Sequence, residues 1–294
     1  MAARSARLGV IGGSGLYAMP GLEHVEQIEI STPFGEPSDA LTVGELDGVP
    51  VAFLPRHGRG HRHSPSEVPS RANIYALKSI GVERVLSVSA VGSLREDFAP
   101  LDLVIPDQLI DRTKARPSSF FEGGIVAHIG FAEPFCADLS GRVRDVTESL
   151  GDIRYHPEGV YVCIEGPQFS TKAESRLYRQ WGCDIVGMTA LPEAKLAREA
   201  EMCYATIACV TDYDVWHESE GPVTVEMVVA NLTHNIANAQ RIIREVAHAL
   251  PQDRSGATCG CASALDNAVM TDRALLTPEL RSRYQLLLGD RLDA

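Results

Sequence analysis

Apolar positions along the chain fall into short runs that alternate with amphipathic stretches. "RLGVIGG", residues 7–13, is an apolar run that breaks into glycines, the pattern of a buried strand ending in a loop. "LTVGEL" and "VPVAFLP" flank Asp47-Gly48, which predicts a hairpin with a primed turn. "ANIYALKSIG" reads as a helix ending at Gly81, and "RVLSVSAVG" and "LDLVIPDQLI" as strands. "LSGRVRDVTESLG" is helical, with Gly151 as its stop. "GVYVCIEGP" is a strand, and Thr171 with Glu174 makes a capping box for the helix "KAESRLYRQWG". The strands "CDIVGMT" and "CYATIACVTDYD" enclose the helix "PEAKLAREAEM". The longest helix is "TVEMVVANLTHNIANAQRIIREVAHAL"; the polar linker "PQDRSGAT" and a terminal helix, "TPELRSRYQLLLGDRL", follow.

Repeated alternation of strand and helix predicts an α/β fold around a largely buried sheet. The expectation is one domain over residues 1–294, with a C-terminal appendage from about residue 251, where the composition shifts.

Composition narrows the function classes. The 294 residues are 45% hydrophobic and 22% charged, as in a globular protein with a sizeable core. A net charge of −12 argues against nucleic acid or a membrane surface as partner, though a local basic cluster could still hold a small anion. No apolar run is long enough for a membrane helix. "MAARSARLGVIGG" has no signal-peptide pattern. The seven cysteines are scattered and mostly sit in apolar segments, which predicts reduced thiols and a cytoplasmic location.

Five strand ends carry residues suited to chemistry. Gly13-Ser14-Gly15-Leu16-Tyr17-Ala18 fits a dinucleotide fingerprint, but Pro20-Gly21 is a poor start for the helix such a site needs. The loop still offers backbone N–H groups and the Ser14 hydroxyl to a single anion. "FLPRHGRGHRHSPSE" gathers Arg56, Arg59, Arg62, His57, His61 and His63, read here as anion-binding rather than metal-binding or merely solvated. In "SVSAVGSLRE" Ser87 and Ser89 punctuate a buried strand that Gly92-Ser93 closes, and small residues at its end leave room for a ligand or simply pack. Met188 sits where a strand stops, a position usual for the core as well as for a ligand contact. Asp212 and Asp214, two apart in extended chain, face one side; they could bind a metal, form an acid/base pair, or be solvated.

Together these segments resemble one family. "IGGSGLY", "TPFGEPSDAL", "PRHGRGH", "SAVGSLRE", "DQLIDRT", "AEPFC", "IEGPQFS", "MTALPE" and "TDYDVW" occur in the order and spacing of the methylthioadenosine phosphorylases, a branch of the purine nucleoside phosphorylase family. The resemblance covers residues 8 to about 230. It implies a three-layer α/β/α domain whose central mixed sheet partly closes into a barrel. It implies phosphorolysis of 5′-methylthioadenosine to adenine and 5-methylthioribose 1-phosphate, with inorganic phosphate as co-substrate and neither metal nor organic cofactor. By the family pattern Ser14, Arg56, His57, Ser89 and Ala90 hold phosphate, with Thr189 assisting. Met188 holds the ribose and Phe169 lies against the purine. Val225 and Val228 form the 5′ pocket, His61 borders it, and His128 reaches in from a neighbouring subunit. That implies a homotrimer or a dimer of trimers.

The leaving base needs a proton at N7, and Asp212 is the chosen acid, with Asp214 in support. Members specific for 6-oxopurines carry asparagine at the Asp212 position. An ionised carboxylate accepts from a 6-amino group, whereas an amide can donate to a 6-oxo group. The competing readings are a phosphorylase of 6-oxopurine nucleosides or methylthioinosine, a hydrolase using water, and a non-catalytic nucleotide- or NAD-binding protein. Cys259-Gly260-Cys261 resembles a motif of some microbial members, taken there as redox-active or stabilising; the alternative is two free thiols. A zinc site would need two more ligands, and the sequence makes no partner pair evident.

Overall fold

The apolar runs become strands and the amphipathic stretches become helices, in the order in which they occur. A computed structural model describes residues 6–13, 15–16, 18–217, 224–254 and 256–292. The first elements are β1 (Leu8–Gly12), β2 (Leu22–Ile28), β3 (Leu41–Leu46), β4 (Val49–Pro55), α1 (Ser70–Ser79) and β5 (Arg84–Ser93). Next come β6 (Leu103–Val104), β7 (Gln108–Arg112), α2 (Ala137–Leu150), β8 (Tyr155–His156), β9 (Val160–Ile164) and α3 (Lys172–Gln180). They are followed by β10 (Ile185–Gly187), α4 (Ala190–Glu199), β11 (Cys203–Asp212), α5 (Val225–Ala249) and α6 (Pro278–Leu288).

Local chemistry explains the boundaries. Asp47 and Gly48 both take positive φ and close the β3–β4 hairpin. The Thr171–Glu174 capping box is formed at α3. Two expectations change. Pro106, which has no N–H to donate, divides the expected strand "LDLVIPDQLI" into β6 and β7. β2 was not expected, because an exposed edge strand of mostly polar residues carries no apolar alternation.

The sheet runs β2-β3-β4-β1-β5-β10-β9-β7, and β11, β6 and β8 branch from β5. β5 pairs with β1 and β11 in parallel and with β10 antiparallel. Among the described residues the ladder therefore forks at β5, and its pairings form no closed ring. Helices α1 and α4 cover one face and α2 and α5 the other, giving three layers. Strand alternation sorts the core: in β11, Tyr204, Ala208 and Val210 join the α1/α4 side while Ala205, Ile207 and Cys209 join the α2/α5 side. Residues beyond 251 fold back on this body, with Leu265, Tyr284 and Leu288 entering the α1/α4 core and Cys261 the α2/α5 core. No helix among the described residues is long and apolar enough to cross a membrane.

Candidate active site

The carboxyl ends of β1, β4, β5 and β11 meet at one rim, where open α/β sheets hold ligands. A cavity of about 430 Å³ opens there. It is lined by Arg56, His57, His61, Ser89, Ala90, Phe169, Met188, Thr189, Asp212, Asp214, Val225 and Val228. Ser14 lies outside the described residues, but its neighbours Gly13 and Leu16 line the cavity, and Leu16 N–H turns back to the Gly13 carbonyl. The next element after this turn is strand β2, not the helix a dinucleotide site requires.

The two ends of the cavity differ in chemistry. At one end the buried hydroxyl oxygens of Ser89 and Thr189 make no well-formed hydrogen bond among the described residues. Tyr161 Oη lies beside them, and burial pushes its pKa up to about 12, so it stays protonated. At the other end are Asp212 and Asp214, against Gly92. A Cβ at Gly92 would stand 2.9 Å from Asp212 Oδ1, so the carboxylates need that bare backbone. Ser89 and Gly92 are three residues apart on β5, which separates the two ends by roughly 10 Å. Met188 lines the same cavity.

A model of the Phosphorylase superfamily matches residues 7–248 of the sequence. The chain belongs to the phosphorylase superfamily. The S-methyl-5′-thioadenosine phosphorylase of Gloeobacter violaceus is 58% identical over 269 residues, 90% of this chain and 89% of that protein. That of Koribacter versatilis is 54% identical over 284 residues, 97% and 96% of the two chains. The crystal structure of a methylthioadenosine phosphorylase from an Antarctic soil metagenomic library superposes with a TM-score of 0.91 at 49% identity, covering 97% of this chain and all of that one. The Schistosoma mansoni methylthioadenosine phosphorylase in complex with adenine gives a TM-score of 0.86 at 35% identity, over 90% of this chain and 99% of that one.

In this phosphorylase the basic loop does less than its composition suggests. Arg59 pairs with Asp39 at 2.7 Å, and Arg62 donates to Asp39 and to the Ser38 carbonyl. Neither lines the cavity. Arg56 is buried, and its fork faces Glu193 rather than the cavity: Nε and Nη2 donate to the two carboxylate oxygens, the latter at 3.1 Å. Nη2 also meets Ser87 Oγ at 2.7 Å, and Nη1 donates to the Val88 carbonyl at 2.9 Å. Among the described residues Nη1 makes only that one hydrogen bond, and Arg56 also lines the cavity. Burial, then the neighbouring Arg56 charge, lowers the His57 pKa to about 4. The ring is therefore neutral near pH 7. Its Nδ1 donates to the His63 carbonyl at 2.8 Å, which leaves Nε2 as an acceptor. His61 stacks on His57, with ring centroids 4.3 Å apart.

The carboxylate pair is assembled by a turn. The β5–β11 register slips between Val210 and Asp212, a bulge that turns the strand end. Asp214 lies beyond the strand with φ +52, and its N–H donates to Asp212 Oδ1 at 2.8 Å. Strand alternation thus does not bring the pair together, as the spacing had suggested. Asp212 Oδ2 accepts from Thr211 Oγ1 at 2.7 Å, whereas Asp214 Oδ2 has no well-formed hydrogen bond among the described residues. Burial raises both pKa values. The value for Asp214 reaches about 6, with the Asp212 charge adding to burial and the Ser175 and Ser170 hydroxyls opposing it.

His128 is exposed and lies outside this chain's cavity, its N–H bonded to the Ala268 carbonyl. Sequence reasoning gave no role to two supporting residues. Glu193, inside the quoted "MTALPE", neutralises Arg56 and accepts from Tyr204 Oη at 3.0 Å. Arg116 is buried and donates to the carbonyls of Met188, Leu191 and Ile164, fixing the turn that carries Met188 and Thr189. A charged residue inside quoted "MTALPE" was a usable signal for Glu193; Arg116, in the loop "RTKARP", carried none. Among the described residues, the only side chains grouped tightly enough to share a metal ion are the thiols of Cys136, Cys203, Cys259 and Cys261. The partner pair for Cys259 and Cys261, not evident in the sequence, is Cys136 and Cys203. They stand far from the CxC motif along the chain, so only folding brings them together.

Proposed function

We propose that the chain catalyses phosphorolysis of 5′-methylthioadenosine, a pentosyl transfer that yields adenine and 5-methylthioribose 1-phosphate. The observation that carries this reading is one cavity with the Ser89 and Thr189 hydroxyls, which make no well-formed hydrogen bond among the described residues, at one end and a pKa-raised carboxyl pair at the other. The names of the relatives support the same reaction.

Phosphate accepts from Ser89 Oγ, Thr189 Oγ1 and the remaining Arg56 Nη1 hydrogen, with Ser14 and the Ala90 backbone completing the cradle. A protonated phosphate oxygen donates to His57 Nε2. The Met188 side chain and backbone hold the ribose. As the glycosidic bond breaks, positive charge develops on the ribosyl carbon and phosphate stabilises it electrostatically. The bonding electrons leave with adenine, and N7 receives a proton from the aspartate pair. We assign the proton to Asp214, because both Asp212 oxygens already accept hydrogen bonds and Asp214 Oδ2 is free of a good one. Asp212 then serves as the carboxylate that accepts from the 6-amino group. This division reverses the roles expected from sequence.

Phe169 and the apolar start of α5, with Val225 and Val228, cover the purine and the methylthio group, and His61 borders them. Phe169 is 43% exposed and Val225 63% exposed, an apolar mouth that suits cover by a second copy. We infer a homotrimer or a dimer of trimers, with His128 serving the neighbour's site. The reaction fits a cytoplasmic place in purine and methionine salvage, with phosphate as co-substrate and no cofactor. The test is to incubate the protein with methylthioadenosine, with and without phosphate, and identify the products. Adenine and the sugar phosphate are expected only when phosphate is present. Adenine without phosphate would indicate a hydrolase, and cleavage of inosine or methylthioinosine alone would overturn the adenine assignment.

A further inference from the structure

Three distant segments converge on one buried point away from the cavity. Cys136 is the N-cap of α2, Cys203 opens β11, and Cys259 and Cys261 flank Gly260 at a turn of the C-terminal appendage. Their four sulfur atoms all lie within 4.8 Å of one another. Cys203 Sγ is 3.6 Å from Cys259 Sγ. Tetrahedral zinc with Zn–S bonds of about 2.3 Å needs sulfurs about 3.8 Å apart.

The surroundings suit thiolates. The Leu139 N–H, in the first turn of α2, points at Cys136 Sγ at 3.5 Å, and the helix dipole adds positive potential there. Arg254 directs Nη1 at Cys203 Sγ at 3.8 Å while Nε faces Glu83 at 3.5 Å. Four thiolates around a divalent ion carry a net negative charge that a guanidinium and a helix N-terminus offset. Two disulfides would fit the arrangement less well. A bond across Cys-x-Cys closes a small strained ring, and it would give Arg254 no anion to meet at Cys203.

We propose that Cys136, Cys203, Cys259 and Cys261 bind a zinc ion as a tetrathiolate. Each thiol releases its proton to solvent on binding, and no electrons are transferred. The ion staples the appendage to the body of the fold. Cys203 and Asp212 stand at opposite ends of β11, nine residues apart, or roughly 30 Å. The site is therefore structural and does not touch the reaction. The appendage it anchors also holds residues 127 and 128, through the Ala127–Val269 bridge and the Ala268 carbonyl.

The experiment uses untagged full-length protein purified under reducing conditions without chelator. Elemental analysis should find stoichiometric zinc. Stripping it with a mercurial and a chelator should lower Tm, and zinc should restore it. The double variant Cys259→Ser, Cys261→Ser should hold no zinc and keep the wild-type kcat at low temperature. Zinc-free protein with four free thiols, or with two disulfides by peptide mapping, would overturn the proposal, as would zinc retained by the double variant. Should that variant fail to fold, cobalt(II) exchanged into the wild type decides: an intense thiolate-to-cobalt charge-transfer band is expected, and bound cobalt without it refutes the site.

Discussion

Asp214 donates its backbone N–H to Asp212 Oδ1 at 2.8 Å while its own Oδ2 is left buried without a well-formed hydrogen bond. The Asp214 N–H thus opposes the burial that raises the Asp212 pKa, while the Asp214 carboxyl stays ready to carry a proton. Burial and the adjacent carboxylate move Asp214 from 3.8 to about 6. Asp214→Asn removes the transferable proton. The expected loss in kcat/KM for methylthioadenosine is about 100-fold or more, the range for a positioned general acid. Steady-state kinetics at saturating phosphate checks it, and a variant within a few-fold of wild type would remove Asp214 from the acid role.

The same shift sets a pH dependence. An acid with a pKa near 6 is protonated below that value, so kcat/KM should fall as pH rises above about 6. For stability, the folded pKa is raised above the unfolded one. The protonated form is favoured by folding, so its contribution is fully present below about 4 and lost as pH rises through about 6. Asp214→Asn should therefore be more stable than wild type at pH 8, by at most about 3 kcal/mol, with the gap closing toward pH 4. Thermal unfolding of both proteins across that range gives the answer; a variant less stable at pH 8 contradicts the sign.

Asp212→Asn replaces an acceptor by a group that can donate to a 6-oxo purine. Activity should move from methylthioadenosine toward methylthioinosine, and the ratio of the two kcat/KM values should shift by about tenfold or more. An unchanged ratio would show that the 6-substituent is read elsewhere.

Glu193→Ala leaves the buried Arg56 guanidinium without its counter-charge. The expected cost is about 3–5 kcal/mol, the range for breaking a buried pair. Glu193→Gln keeps the packing and should cost less while raising KM for phosphate, because the fork loses its anchor. Thermal unfolding and phosphate titration separate the two effects.

Ser89→Ala and Thr189→Val remove hydroxyls that make no well-formed hydrogen bond among the described residues. Their stability should change by about 1 kcal/mol or less, since no well-formed internal hydrogen bond is lost. The KM for phosphate should rise in both while KM for the nucleoside changes little. Equal effects on both substrates would place these hydroxyls away from phosphate.

Much of this protein was legible in its sequence. Apolar periodicity, the Asp47-Gly48 turn, the Thr171–Glu174 cap and the Gly151 stop are local signals, and the elements they predict are present, except that Pro106 divides one expected strand into β6 and β7. Motif order also indicated which residues line the cavity, because neighbouring strand ends meet at the carboxyl rim of a parallel sheet. What the sequence could not determine depends on direction and on distant partners. Arg56, Arg59 and Arg62 look alike in "PRHGRGHR", yet Asp39 draws two outward and Glu193 holds the third in the core. The bulge after Val210 and the left-handed Asp214, not strand alternation, join the two carboxylates. Cys136 and Cys203 reach Cys259 and Cys261 only because α2, β11 and the appendage pack at one place. Elements follow from short-range patterns of apolar and turn residues. Charge pairing, proton affinity and metal geometry follow from which groups share a low-dielectric space, and that is decided only when the chain folds.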